Sequence, residues 1–183
     1  MDCLNGAQVL VLHGSPGSGK TTIAAAVAER LREANLANAM IDLDVLCIVH
    51  PYPGRSFSRD NLRAVWPNYA AVPDVRVLLP LVVVDSDDLL ELKEITAADR
   101  FTVCELTAPR PILESRVIAR EPNEFWRSRL LDFITTYHDR DDHSAIRDFQ
   151  VSTHDQSIHE SASEVNERCG WSVGPGSHAG TAP

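Results

Sequence analysis

Residues Gly14 to Thr21 read GSPGSGKT and fill every fixed position of the pattern G-x-x-x-x-G-K-[ST]. Each residue type has a task in gripping a polyphosphate. Gly14, Gly17 and Gly19 lack a Cβ, so the backbone between them can curl and turn consecutive N–H groups inward. Ser15, Pro16 and Ser18 complete that cradle, and Thr22 follows it at the start of a helix whose positive end faces the same phosphates. Lys20 brings a point charge to the β- and γ-phosphates. The Thr21 hydroxyl is placed to ligate Mg²⁺. An apolar run, Val9-Leu10-Val11-Leu12, comes just before, and a helical pattern just after. Strand, glycine loop, helix is the context this motif requires.

The rest of the chain alternates apolar runs with helical patterns. Strands are expected over residues 8–13, 39–43, 75–84, 100–106 and 148–153, and helices over 20–34, 86–95, 110–120, 123–137 and 157–169. Such alternation predicts an α/β fold, a parallel sheet with helices on both faces. Pro80 interrupts the third apolar run. Proline donates nothing to a sheet ladder, so the regular strand is expected over 75–79, with 81–85 leaving the sheet. Ser86 is expected to cap the helix that follows, and Trp171 to pack back on the sheet.

In an open α/β sheet the ligand sits at the C-terminal ends of the strands. Asp42 and Asp44 end the second strand, and a spacing of two puts both on one side of an extended chain. One suits the Mg²⁺ shell and the other a substrate hydroxyl, whose proton it can orient or accept. Turn or cap chemistry is the alternative. Asp85 follows four apolar residues, as a metal-site aspartate would, or else it is a loop or cap residue beyond the proline. Arg116 and Arg120 lie one turn apart on a helix, and Arg129 follows. These can hold phosphate and neutralise its charge. Residues 120–128 then read as a closing lid that keeps water out. The irregular segment 45–73 carries Arg59, Asn61 and Arg63, which suit a polar acceptor. A packed connector helix around Trp66 is the competing reading. Thr153 and Gln156, after the last strand, fall beside the nucleotide base. The histidines show no metal-ligand spacing.

The chain has 183 residues, enough for one domain, 1–171, and the Gly-, Ser- and Pro-rich stretch 172–183 reads as a disordered tail. Net charge is −9, which opposes sequence-independent binding to nucleic acid. Four scattered cysteines without a C-x-x-C pair, and no leader or membrane-spanning pattern, point to a reduced cytoplasmic protein, monomer or homodimer.

With GSPGSGKT, Asp42-Leu43-Asp44 and Arg116-x-x-x-Arg120, the chain resembles the small phosphate-loop kinases: shikimate, gluconate and adenylylsulfate kinases, and phosphotransferases of the chloramphenicol type. The resemblance implies a three-layer fold with a five-stranded parallel sheet of order 2-3-1-4-5. It also implies ATP as donor, Mg²⁺, and γ-phosphoryl transfer to a small polar acceptor. By the same resemblance Asp42 stands on the metal side and Asp44 on the acceptor side, with Lys20 and Arg120 neutralising charge. The acceptor itself stays open. The competing function is a nucleotide-dependent regulatory ATPase that binds a protein partner. A kinase of nucleic-acid ends is disfavoured by the acidic charge.

Overall fold

A computed structural model describes residues 6–171. The elements run β1 (Gln8–His13), α1 (Lys20–Glu33), β2 (Asn38–Met40), α2 (Leu43–Leu46), α3 (Arg55–Ala70), β3 (Arg76–Pro80), α4 (Ser86–Thr96), β4 (Arg100–Thr107), α5 (Arg110–Arg120), α6 (Glu124–His138), α7 (His143–Ile146), β5 (Phe149–Ser152) and α8 (Ile158–Arg168). The five strands form one parallel sheet in the order β2-β3-β1-β4-β5. The tail 172–183 lies outside the described residues.

Alternation along the central strands builds two cores. Val9, Val11, Val77, Leu79 and Val103 face α3 and α4, where Leu62, Trp66 and Leu92 meet them. Leu10, Leu12, Leu78 and Cys104 face the other way, against Ile23, Val27 and Leu31 of α1 and Val165 of α8. Strands buried on both sides read as continuous apolar runs, which is the pattern here. Trp171 joins the second core, and its Nε1 donates to Gln8 Oε1 at 2.7 Å, as its expected return to the sheet requires. A smaller cluster, Leu113, Val117 and Ile134 with Ala108, joins α5 to α6. Among the described residues no helix is long and apolar enough to cross a membrane.

Two expectations need correction, and a third shifts by one residue. The chain leaves the sheet after β3 as expected, but Pro80 itself still closes the strand, pairing in register with Leu12. The reason is the direction of its missing N–H. Arg76 donates toward β2 and Leu81 toward β1, so position 80 faces the β2 side, where pairing has already ended at Met40. The second strand is also shorter than expected. Asp42 has left the sheet and caps α2, so Asp44 sits on a helical turn and not on an extended chain. Finally, Asp85, not Ser86, caps α4; its Oδ1 accepts from the Asp88 N–H at 2.8 Å.

Residues 45–73 hold the connector helix α3, with Trp66 buried in the core, so the competing reading of that stretch was the right one for its second half. Arg59 is buried as well, and it donates to Asp88 Oδ1 through Nε at 3.2 Å and through a terminal nitrogen. This ion pair clamps α3 to α4. Breaking a buried pair strands the surviving charge, so it is a fastening and not a free binding group.

Candidate active site

The loop after β1 is held by two close approaches that only glycine permits. Gly14 has φ +149°, and a Cβ there would sit 2.5 Å from the Leu106 carbonyl oxygen. At Gly17, φ +80°, it would sit 2.7 Å from that of Leu113. The loop is thereby pressed onto β4 and α5. Gly19 precedes α1 without side-chain cap, and no acidic residue occupies the first turn. The leading N–H groups of this 14-residue helix stay available to an anion. The hydroxyls of Ser15 and Ser18 are buried without a partner among the described residues. Lys20 folds back, donating from Nζ to the carbonyls of Gly14 at 2.8 Å and Ser15 at 3.1 Å. Burial pulls its ammonium down to about 8; Arg120 adds to that pull, while Asp44 and Asp42 oppose it. A cation disfavoured where it stands, beside orphaned hydroxyls and an uncapped helix end, fits a phosphate group.

Asp42 uses its two oxygens for two purposes. Oδ1 accepts from the N–H groups of Asp44 at 3.0 Å and Val45 at 3.4 Å, while Oδ2 accepts from the Thr21 hydroxyl at 3.3 Å. The expected Mg²⁺ pair, Thr21 and Asp42, is thus brought together, and hard oxygen donors of this kind fit that ion. Asp44 follows at the mouth of the loop. Partial desolvation and the adjoining Asp42 charge push its carboxyl up, against the pull of Lys20.

Three of the chambers along the C-terminal edge of the sheet share wall residues with one another. The first, about 320 Å³, is lined by Gly17 to Gly19, Thr22, Ile23, Arg116, Arg120, Thr153, Gln156 and Ile158. It combines the apolar side chains of Ile23 and Ile158 with a Gln156 Oε1 without a partner among the described residues, which suits a nucleoside base. Arg116 braces it by donating to the carbonyls of Gly17 at 3.2 Å and Thr153 at 2.7 Å and to the Thr153 hydroxyl at 3.1 Å. Arg116 is therefore a strut first. The second chamber, about 230 Å³, holds the loop with Lys20, Thr21, Asp44 and Arg120. The third, about 330 Å³, lies between α2, α3 and α6. Arg120 borders the first two, and Asp44, Val82 and Phe133 border the last two.

Several expected residues do not join this assembly. Asp85 is exposed and occupied with capping α4. Asn61 donates to the Leu46 carbonyl at 3.0 Å and ties α3 to α2. Arg63 bonds Asp60 at 3.0 Å and Glu91 at 2.6 Å on the surface. Arg129 is exposed and lies 5.2 Å from the ring centre of Phe125. Arg59 borders the third chamber with its charge already held by Asp88. The lid proposed over 120–128 reduces to a three-residue joint, 121–123, between α5 and α6; Glu121 Oε1 accepts from the Asn123 N–H at 2.9 Å. Conversely, Phe133, Tyr52 and Val82 were missed. The available signal was Leu130 and Phe133, spaced by three on α6, which add an apolar stripe beside the Ile134 face that α6 needs for α5.

A buried hydrogen-bond network supports the loop from below. His13, directly before Gly14, is fully buried. Its Nδ1 accepts from the Val83 N–H at 2.9 Å, which leaves the proton on Nε2 for Tyr137 Oη at 2.9 Å; that hydroxyl donates to Glu105 Oε1 at 2.7 Å. Burial opposes the Glu105 charge, yet hydrogen bonds from Arg147 and Tyr137, with His143 near, hold its carboxyl below the usual range. The His13, Glu105 and His143 ligand atoms lie within 4.8 Å of one another. Both His13 nitrogens are engaged, however, and the cluster works as a brace.

Burial drives the His13 imidazole down to about 4; Glu105 pulls the other way, and Arg140 and Lys20 reinforce the fall. The unfolded chain takes that proton near the ordinary value of 6.5 and the folded one near 4. Stability is therefore complete above pH 6.5 and drains away toward pH 4. Urea denaturation at pH 7 and at pH 4 should differ by about 3 kcal/mol from this group. A flat profile across that window would show that His13 is protonated in the fold.

A family model, ATPase family associated with various cellular activities (AAA), matches residues 10–75. No curated protein matches the chain. Solved structures do. An APS kinase of Mycobacterium tuberculosis, in complex with AMPPNP and APS, is 21% identical with TM-score 0.62, over 88% of this chain and 96% of that one. A shikimate kinase of Acinetobacter baumannii, in complex with shikimate, is 16% identical with TM-score 0.59, over 90% and 94%. A gluconokinase of Sinorhizobium meliloti 1021 is 18% identical with TM-score 0.58, over 91% and 97%. With its strand order 2-3-1-4-5 and its glycine loop, the chain has the phosphate-loop α/β fold seen in these kinases of small molecules.

Proposed function

We propose that the protein is an ATP- and Mg²⁺-dependent kinase that transfers the γ-phosphoryl group to a hydroxyl of a small molecule. The observation that carries this reading is the position of Asp44 on the wall shared by the loop chamber and a separate third chamber. A pure ATPase has no use for a second chamber opening on the phosphates.

The base occupies the first chamber and the polyphosphate the second. The acceptor hydroxyl enters from the third and meets Asp44. Its oxygen forms the new bond to the γ-phosphorus as the bond to the β–γ bridging oxygen breaks, and ADP leaves. Asp44, with its raised affinity for protons, takes the hydroxyl proton. Lys20 turns from its two carbonyls to the phosphates, and Arg120, bordering both chambers and unpaired among the described residues, neutralises charge on the transferring group. Thr21 and Asp42 would hold Mg²⁺, which supplies further neutralisation of phosphate charge when bound. Gathering both reactants against a preset loop gives proximity and orientation, which is most of what phosphoryl transfer asks of a protein.

Calorimetry with MgATP, followed by ATP consumption and mass spectrometry over a library of hydroxylated metabolites, tests this. Consumption should rise sharply with the right acceptor and yield its phosphate ester. Protein that binds MgATP but ignores every small molecule would speak for the regulatory ATPase instead.

A further inference from the structure

The third chamber specifies more than a hydroxyl. Its wall is mainly apolar: Leu43, Tyr52, Leu81, Val82, Val84 and Phe133. Three of these stand open to solvent, Tyr52 at 57%, Val84 at 39% and Phe133 at 38% exposure. Two aromatic rings and a valine left uncovered beside a catalytic carboxylate form a binding surface for something with an apolar body.

The charges point the same way. The chamber is bordered by two cations, Arg55 and Arg59, and both are spent on one carboxylate. Asp88 is 7% exposed; its Oδ1 takes Arg59, and its Oδ2 takes Arg55 and the Val84 N–H at 3.0 Å. Ser58 and the Tyr52 hydroxyl are the remaining polar neighbours, beside the Asp44 carboxyl. A carboxylate or phosphate on the acceptor would therefore enter beside Asp44 and find in this chamber only cations already paired with Asp88. Arg63 and Arg129 do not line the chamber and face Glu91 and Phe125.

The geometry points to an acceptor that is an uncharged alcohol carried on an aromatic or aliphatic ring, its hydroxyl at Asp44 and its ring between Tyr52 and Phe133. This rests on the kinase reading above and adds the class of substrate. The acceptor O–H exchanges its proton, taken by Asp44, for the phosphoryl group, with ATP as donor and ADP released.

The test offers MgATP with five alcohols: 1-naphthalenemethanol and 2-phenylethanol as neutral aromatic alcohols, glycerol as a neutral alcohol without a ring, and shikimate and gluconate as anionic hydroxy acids. The readout is the phosphate ester by mass spectrometry. The aromatic alcohols should show kcat/KM at least about tenfold above the other three. Tyr52→Ser should cut their kcat/KM by about tenfold through KM, while glycerol is hardly affected. The MgATP binding heat reports that the variant is folded. A preference for shikimate or gluconate, or indifference to Tyr52→Ser, overturns the inference and leaves the kinase reading standing. Protein that binds MgATP yet phosphorylates none of the five loses this inference, and the library screen then decides the broader reading by itself.

Discussion

Lys20→Ala should lower phosphoryl transfer roughly a thousandfold, the range found when a charged group facing the transferring phosphoryl is removed. The fold should survive. Nζ rests on two loop carbonyls, at 2.8 and 3.1 Å, and the site disfavours its charge enough to bring the ammonium down to about 8. A group held against its own preference is not what stabilises the protein, so the urea midpoint should not fall. Single-turnover kinetics beside denaturant titration separates the two effects. Wild-type turnover in the alanine variant would mean that the loop does not grip the reacting phosphates.

Asp44→Asn should cost about 10²- to 10⁴-fold in transfer to the acceptor, the usual contribution of a positioned base. MgATP affinity should stay within a few-fold, because Asp44 only borders the polyphosphate chamber and is absent from the base chamber, while the loop, Lys20 and Arg120 supply the grip. The pH profile sharpens the test. Partial desolvation and Asp42 raise the Asp44 carboxyl, so kcat/KM should fall as pH drops through a value above that of an ordinary aspartate. In the asparagine variant that acid limb should vanish. Equal losses of ATP binding and turnover would make Asp44 a structural or metal-side residue.

Much of this architecture was legible in the residues. The glycine loop, the strand before it and the helix after it announce themselves, because their function demands fixed residue types at fixed spacing. Strand order followed from resemblance and matches the sheet. Spacing singled out Arg116 with Arg120, which border one chamber, and the resemblance put Asp42 on the metal side, where the Thr21 hydroxyl meets it. What failed was charge. Arg59, Arg63 and Arg129 looked like ligand contacts, since an arginine in sequence does not show its partner. In space Asp88, Glu91 and Phe125 claim them. Asp85 failed for a related reason, because cap and metal ligand use the same side chain before the same kind of helix. The third chamber was hidden because it draws on α2, α3, α6 and the turn after β3, and apolar residues there look like core until the packing is seen.

The split duty of Asp42 reaches beyond its own carboxylate. One oxygen fixes the backbone that aims Asp44, and the other meets Thr21. Metal shell and proton acceptor therefore share one mechanical mount, and neither can be retuned in isolation. Any substitution at position 42 perturbs two chemical roles at once, and a loss seen there belongs to both.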